Sequence, residues 1–201
     1  MISIQQQIET RIKAMEKGSI LFPADFADLG GTEAVKKSLL RLTNKGLLKR
    51  LAFGIYLYPK ESRLLGTVTP SIEEIATAIA ERDKSRIVPT GVYALNRLGL
   101  STQVPLNAVY LTDGAPRKVR VGKRQILFKK TTPKNLQAKG EMSRMIIQAL
   151  REVGTGNVKP EVEKKLLTLL RKETQETIEH DMLLAPAWIR DIMRKAIKHE
   201  Q

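Results

Sequence analysis

The stretch 30–58 constrains the fold more than any other part of the chain. A glycine pair, Gly30-Gly31, precedes TEAVKKSLLRLTNK, in which Val35, Leu39 and Leu42 recur at helical spacing. Asn44-Lys45-Gly46 should stop that helix, because asparagine and glycine accept the left-handed backbone that closes a last turn. Two short runs rich in Leu, Ile and Tyr follow at 47–51 and 55–58. They are joined through Ala52-Phe53-Gly54, with a glycine available for positive φ, and Pro59 ends the second. A helix that passes directly into a tight hairpin leaves few architectures open.

Upstream, Ile4, Ile8, Ile12 and Met15 predict an amphipathic helix over 3–16, ended by Lys17-Gly18. Phe22-Pro23 puts proline where a helix can begin, and 23–29 is long enough for about two turns. Gly30-Gly31 breaks this helix, and Thr32 is expected to cap the next. Helix, helix, helix, hairpin is the order of a winged helix-turn-helix, expected over 1–62. The segment 61–70, ESRLLGTVTP, reads as a linker.

A second domain is expected over 68–201, with an α/β part at 68–135 and a helical part at 136–201. Ser71 with Glu74 is a capping-box pair, opening a helix at 71–82 with Ile72, Ile75, Ala76 and Ile79 on one face. A helix at 91–98 and strands at 109–112 and 125–129 around a basic loop complete the α/β part. Helices at 141–153, 160–172 and 185–198 make up the rest. The fold class is therefore α+β.

The 201 residues are 42% hydrophobic, which suffices for a core, but only 4% aromatic, so the core must rest on Leu, Ile, Val and Ala. With no cysteine, disulfides, thiolate zinc sites and cysteine nucleophiles are excluded. The opening residues lack the apolar stretch of a signal peptide, and no run approaches the ~18 apolar residues of a membrane helix. A cytoplasmic location without membrane contact is the expectation. The net charge of +14 favours polyanionic partners. The excess is concentrated: 113–134 holds 8 basic residues against 1 acidic, and 32–50 holds 6 against 1.

On a helical wheel, Val35, Leu39 and Leu42 fall on one side of the 33–44 helix. Glu33, Lys36, Lys37, Leu40, Arg41 and Asn44 fall on the other, with Thr32 at its start. Lys and Arg can neutralise phosphates or donate to guanine, and Asn can pair with adenine. Leu40 fits a thymine methyl. Lys49 and Arg50 on the hairpin can lie along the backbone or enter the minor groove. A solvated surface helix carries similar charges, but the glycine break, the tight hairpin and the local basic excess favour a duplex-DNA interface.

The run GLLKRLAFGIYLYPK (46–60) behind TEAVKKSLLRLTNK resembles the start of the AbiEi-type antitoxins of type IV toxin–antitoxin and abortive-infection systems. TGVYAL (90–95) and LGLSTQVP (98–105), with the strand at 108–112, are similar to the segment after that family's winged helix. The match runs in order through most of 1–135. The resemblance implies a transcriptional repressor that binds promoter repeats of its own operon. It also implies a C-terminal region that counters a nucleotidyltransferase-like toxin without a stable complex.

The second basic cluster is Arg117, Lys118, Arg120, Lys123, Arg124, Lys129 and Lys130, with Lys134 beyond. It can extend a DNA footprint, bind RNA, or simply keep an exposed loop soluble. Only Phe128 is interleaved, which gives weak support for base stacking. No enzyme is expected: phosphate-binding and nucleophile-elbow motifs are missing from the sequence. His180 and His199 do not make a metal site, and Asp181 is expected on a different face from His180. No metal or cofactor is expected. Trp188 reads as a packing anchor. Two rival readings stay open: a stand-alone winged-helix regulator that senses a ligand or partner through its C-terminal domain, and a nucleic-acid-acting enzyme with the winged helix as docking module.

Overall fold

The structure is a computed structural model that describes residues 2–62, 64 and 66–197. The chain divides into two compact units, Met1–Ile79 with Val119–Lys123, and Ala80–Lys118 with Arg124–Gln201. Both helix and strand contribute, so the chain is α+β.

In the first unit, α1 (Ile4–Lys13) begins with a capping box: the Ser3 hydroxyl accepts from the Gln6 N–H, and the Gln6 side chain accepts from the Ser3 N–H at 2.9 Å. Strand β1 (Ile20–Leu21) and a 3-10 helix (Pro23–Leu29) lead to α2 (Thr32–Asn44). Strands β2 (Lys49–Ala52) and β3 (Ile55–Leu57) complete a three-stranded antiparallel sheet in the order β1-β3-β2. This is the arrangement of a winged helix-turn-helix. Its core is Ile8, Ile12, Leu21, Phe26, Val35, Leu39, Leu42, Leu48 and Tyr56. Burying each large aliphatic side chain in it stabilises by about 1.5–3 kcal/mol.

Three local expectations change. Residues 23–29 form a 3-10 helix with a kink at Phe26 (φ −122°), which turns that fully buried ring inward. Strand β1 escaped prediction because two residues show no periodicity; its pairing with Tyr56 and Leu57 is purely tertiary. The expected linker at 61–70 is instead an antiparallel hairpin of β4 (Lys60–Ser62) and β5 (Gly66–Val68), braced by a hydrogen bond from Thr67 Oγ1 to Glu61 at 2.8 Å. Helix α3 (Ile72–Arg82) follows, with the expected capping box. The Ser71 N–H donates to Glu74 at 2.6 Å and the Glu74 N–H to Ser71 Oγ at 3.1 Å, which holds the Glu74 carboxyl below its ordinary pKa.

Further along the chain, β6 (Ile87–Pro89), β7 (Asn107–Thr112), β8 (Arg117–Val121) and β9 (Arg124–Lys130) give a four-stranded sheet in the order β6-β7-β9-β8, with α4 (Gly91–Arg97) between β6 and β7 in sequence. Strands β7 and β9 run parallel, and β6 is antiparallel to β7. The basic segment expected as a loop is thus largely strand: half-buried Val119 and Val121 alternate with exposed Lys118 and Arg120, a period-two pattern that the charge obscured. After a 3-10 turn (Pro133–Leu136) come α5 (Glu141–Val153), α6 (Pro160–Leu170), α7 (Gln175–Met182) and α8 (Ala187–Ile197). Helix α7 had no strong apolar stripe, because only Ile178 and Asp181 are buried on it. Residues 154–159 connect α5 to α6. Trp188 packs half-buried against the helical core around Ile146, Leu150, Leu166 and Ile189. His199 and Lys198 lie outside the described residues.

Candidate nucleic-acid interface

Helix α2 carries the site. Val35, Leu39 and Leu42 are at most 1% exposed, and Ser38 joins them with its hydroxyl turned back onto the Ala34 carbonyl at 2.8 Å. Thr32, Glu33, Lys36, Lys37, Leu40, Arg41 and Asn44 are all exposed. The wheel therefore divides the helix as its periodicity predicts. Leu40 keeps 48% of its surface exposed amid these polar groups.

The two ends of α2 differ. Thr32 does not cap the helix, contrary to expectation. Gly31 occupies the N-cap in extended conformation, without a side-chain hydrogen bond. Thr32 is the first helical residue, because the glycine pair already supplies the sharp entry. The C-terminal end is closed by a Schellman motif. Gly46 adopts φ +76°, its N–H donates to the Thr43 carbonyl at 3.0 Å, and the Leu47 N–H donates to the Leu42 carbonyl at 3.0 Å. Leu47 then packs on the core, so the helix hands the chain straight into β2.

The cations on this face are not equivalent. Lys36 is held by Glu33 at 2.9 Å, an i,i+3 pair that also depresses the Glu33 carboxyl pKa. The side chains of Lys37, Arg41 and Asn44 make no hydrogen bond or ion pair with other described residues. On the hairpin, Lys49 and Arg50 are both exposed. The register skips one residue between Arg50 and Ala52, leaving a bulge at Leu51. Ala52 pairs with Ile55, so the turn consists of Phe53 and Gly54, with Gly54 at φ +69°. Phe53 at its apex is 87% exposed. It was absent from the predicted site, although its place within the hairpin turn was readable.

The second basic cluster is only partly available. Lys118, Arg120, Lys123, Lys129 and Lys130 are exposed, but Arg117 and Arg124 are half-buried. Arg117 is ion-paired with Asp83, and its guanidinium lies 5.4 Å from the Phe128 ring centre; burial lowers its pKa. It is thus a structural cation rather than a free polyanion ligand, a correction that depends on a carboxylate 34 positions earlier in the chain.

His180 and Asp181 also differ from expectation: His180 Nδ1 is 2.7 Å from Asp181 Oδ1. Their helix ends one residue later, at Met182, and the fully buried Asp181 is held by the N–H groups of Lys139 and Gly140, both at 2.8 Å. These contacts fix the chain where it enters α5, whose first-turn Met142 N–H is accepted by Glu173 at 2.7 Å. No group of three His, Cys, Asp or Glu side chains among the described residues is arranged to hold a metal ion, and no described helix is long and apolar enough to cross a membrane.

The sequence profile of a family of unknown function, DUF6088, matches residues 7–178. No curated protein matches the chain significantly.

Proposed function

This chain belongs to DUF6088, a family of unknown function, and from that premise we propose that it is a duplex-DNA-binding protein that reads its target with α2. The observation that carries this reading is the divided helix: Val35, Leu39 and Leu42 fix it to its own core, while Lys37, Arg41, Asn44 and Leu40 are left exposed. A free arginine or asparagine on such a face can pair bidentately with a base edge, and lysine adds phosphate neutralisation. The β2–β3 hairpin supplies Lys49 and Arg50 directly behind the helix. The net charge of +14 adds long-range attraction to a polyanion.

The resemblance to AbiEi-type antitoxins makes the reading more specific. In it, the protein represses its own operon through its winged helix-turn-helix, and the region 68–201 counters a nucleotidyltransferase-like toxin encoded beside it. The exposed Lys129 and Lys130 of β9 offer that second role a surface for RNA or additional DNA.

Gel shifts of the full chain on duplexes tiling its own promoter test the first role. Wild type should shift a discrete subset of them. Lys37→Ala and Arg41→Ala should each weaken specific binding by ~1–3 kcal/mol where a base is read. Two variants that bind like wild type would exclude α2 as the reader. Co-expression with an adjacent nucleotidyltransferase-like gene tests the second role: growth arrest by that gene alone, relieved by this chain, is the expected result.

A further inference from the structure

Phe53 stands apart from the other phenylalanines. Phe22, Phe26 and Phe128 are at most 4% exposed, whereas Phe53 is 87% exposed at a hairpin apex. The Ala52–Ile55 pair closes the turn immediately behind it, so the hairpin offers nothing to cover the ring. Its one close companion is a cation: the Arg50 guanidinium lies 5.4 Å from the ring centre. Arg50 Nε also donates to the Ala52 carbonyl at 3.3 Å, which ties the guanidinium to the base of the turn. The aromatic ring and the positive charge thus form one preassembled tip, sharpened by the bulge at Leu51 and the positive φ of Gly54.

We propose that this tip enters the minor groove of duplex DNA, with Phe53 as an apolar wedge against the base pairs and Arg50 beside it on the groove's negative potential. The inference rests on the DNA-binding reading above and assigns the wing a role that the helix face does not have. The chemistry suits the groove. At about 6 Å wide it admits side chains projecting from a hairpin tip, and its negative potential attracts arginine. Apolar wedges that partly unstack a base step are an established device of minor-groove binding. Apolar area decides against a lipid surface as occupant: Leu51 and Ala52 are half-buried, so no second exposed apolar side chain on the hairpin joins Phe53.

The test uses the full chain and fluorescence anisotropy on 30-base-pair duplexes tiling its own promoter. Phe53→Ala should weaken binding about tenfold, the scale of one lost aromatic–base contact. Phe53→Leu, which keeps an apolar wedge, should recover most of the loss. The salt dependence of Phe53→Ala should match wild type, because the ring neutralises no phosphate, whereas Arg50→Ala should flatten it. Netropsin, which fills the minor groove of A·T tracts, should weaken wild type and leave a variant carrying both Arg50→Ala and Phe53→Ala unaffected. Equal affinities of Phe53→Ala and wild type, while Lys37→Ala still weakens binding, would overturn the wedge and leave the DNA-binding reading standing. Equal netropsin sensitivity would overturn the groove assignment. No binding of wild type to any duplex would overturn both.

Discussion

Helices α2 and α5 invite comparison, each within its own unit. Both are 13 residues long, and both begin behind a glycine N-cap that contributes no side-chain hydrogen bond. In α5 the missing cap is supplied from far along the chain. Glu173 accepts from the Met142 N–H at 2.7 Å and from the Ser143 hydroxyl, and Asp181 accepts from the N–H groups of Lys139 and Gly140. Six successive residues, from Met145 to Leu150, are buried, so α5 has no free face over that stretch. In α2 nothing comparable reaches the N-terminus, only four residues are buried, and one continuous polar face stays open. The difference teaches that helical propensity and length say little about role. What distinguishes them is where the first-turn N–H groups and the non-core face find partners.

The comparison can be broken or sharpened by substitution. The largest effects should come from its shared element, the core. Leu39→Ala in α2 and Leu150→Ala in α5 each remove a fully buried side chain. Each should cost about 2–5 kcal/mol in denaturant unfolding. If either is tolerated with no shift in midpoint, that helix is not anchored as described. Next comes Asp181→Ala, which strands two N–H donors near α5 and should cost about 2–4 kcal/mol. Where it is folded, the Asp181→Ala variant should bind duplex DNA as wild type does; a loss of binding at full folding would show that α5 is not merely structural.

A third pair of variants reverses the pattern. Lys37→Ala and Arg41→Ala lie on the open face of α2 and should change stability by no more than about 0.5 kcal/mol. They should still weaken duplex binding by ~1–3 kcal/mol. A melting temperature that falls in step with affinity would assign them to packing. The smallest effect is expected from Gly31→Ser. This position has φ −63° and open space around a Cβ, so serine can cap α2 without strain. The expected gain is a few tenths of a kcal/mol in unfolding free energy. A loss instead would mean that the N-terminus of α2 is satisfied in some other way.

Much of the candidate interface was legible in the sequence. The order of elements through 58, the exposed set on α2 and the glycine-closed hairpin all follow from patterns that repeat within a few residues. The Schellman closure at Gly46 and the Ser71–Glu74 box are equally local. Other features were not legible. Phe53 carries no local mark of its exposure, because phenylalanine is usually buried and only the closed turn leaves this ring uncovered. Arg117 counted as one more free cation until Asp83 and Phe128 were placed beside it.

The sequence by itself determined which face of α2 is apolar, where that helix stops and that a tight hairpin follows. Those depend on spacings of three or four residues and on backbone angles that few residue types adopt. It took the three-dimensional packing to make Ile20 and Leu21 a strand, to join β8 to a sheet, to ion-pair Arg117 and to bring Glu173 onto the first turn of a helix that begins 32 residues earlier. Each of these depends on groups distant in sequence meeting in space, and local periodicity carries no record of such a meeting.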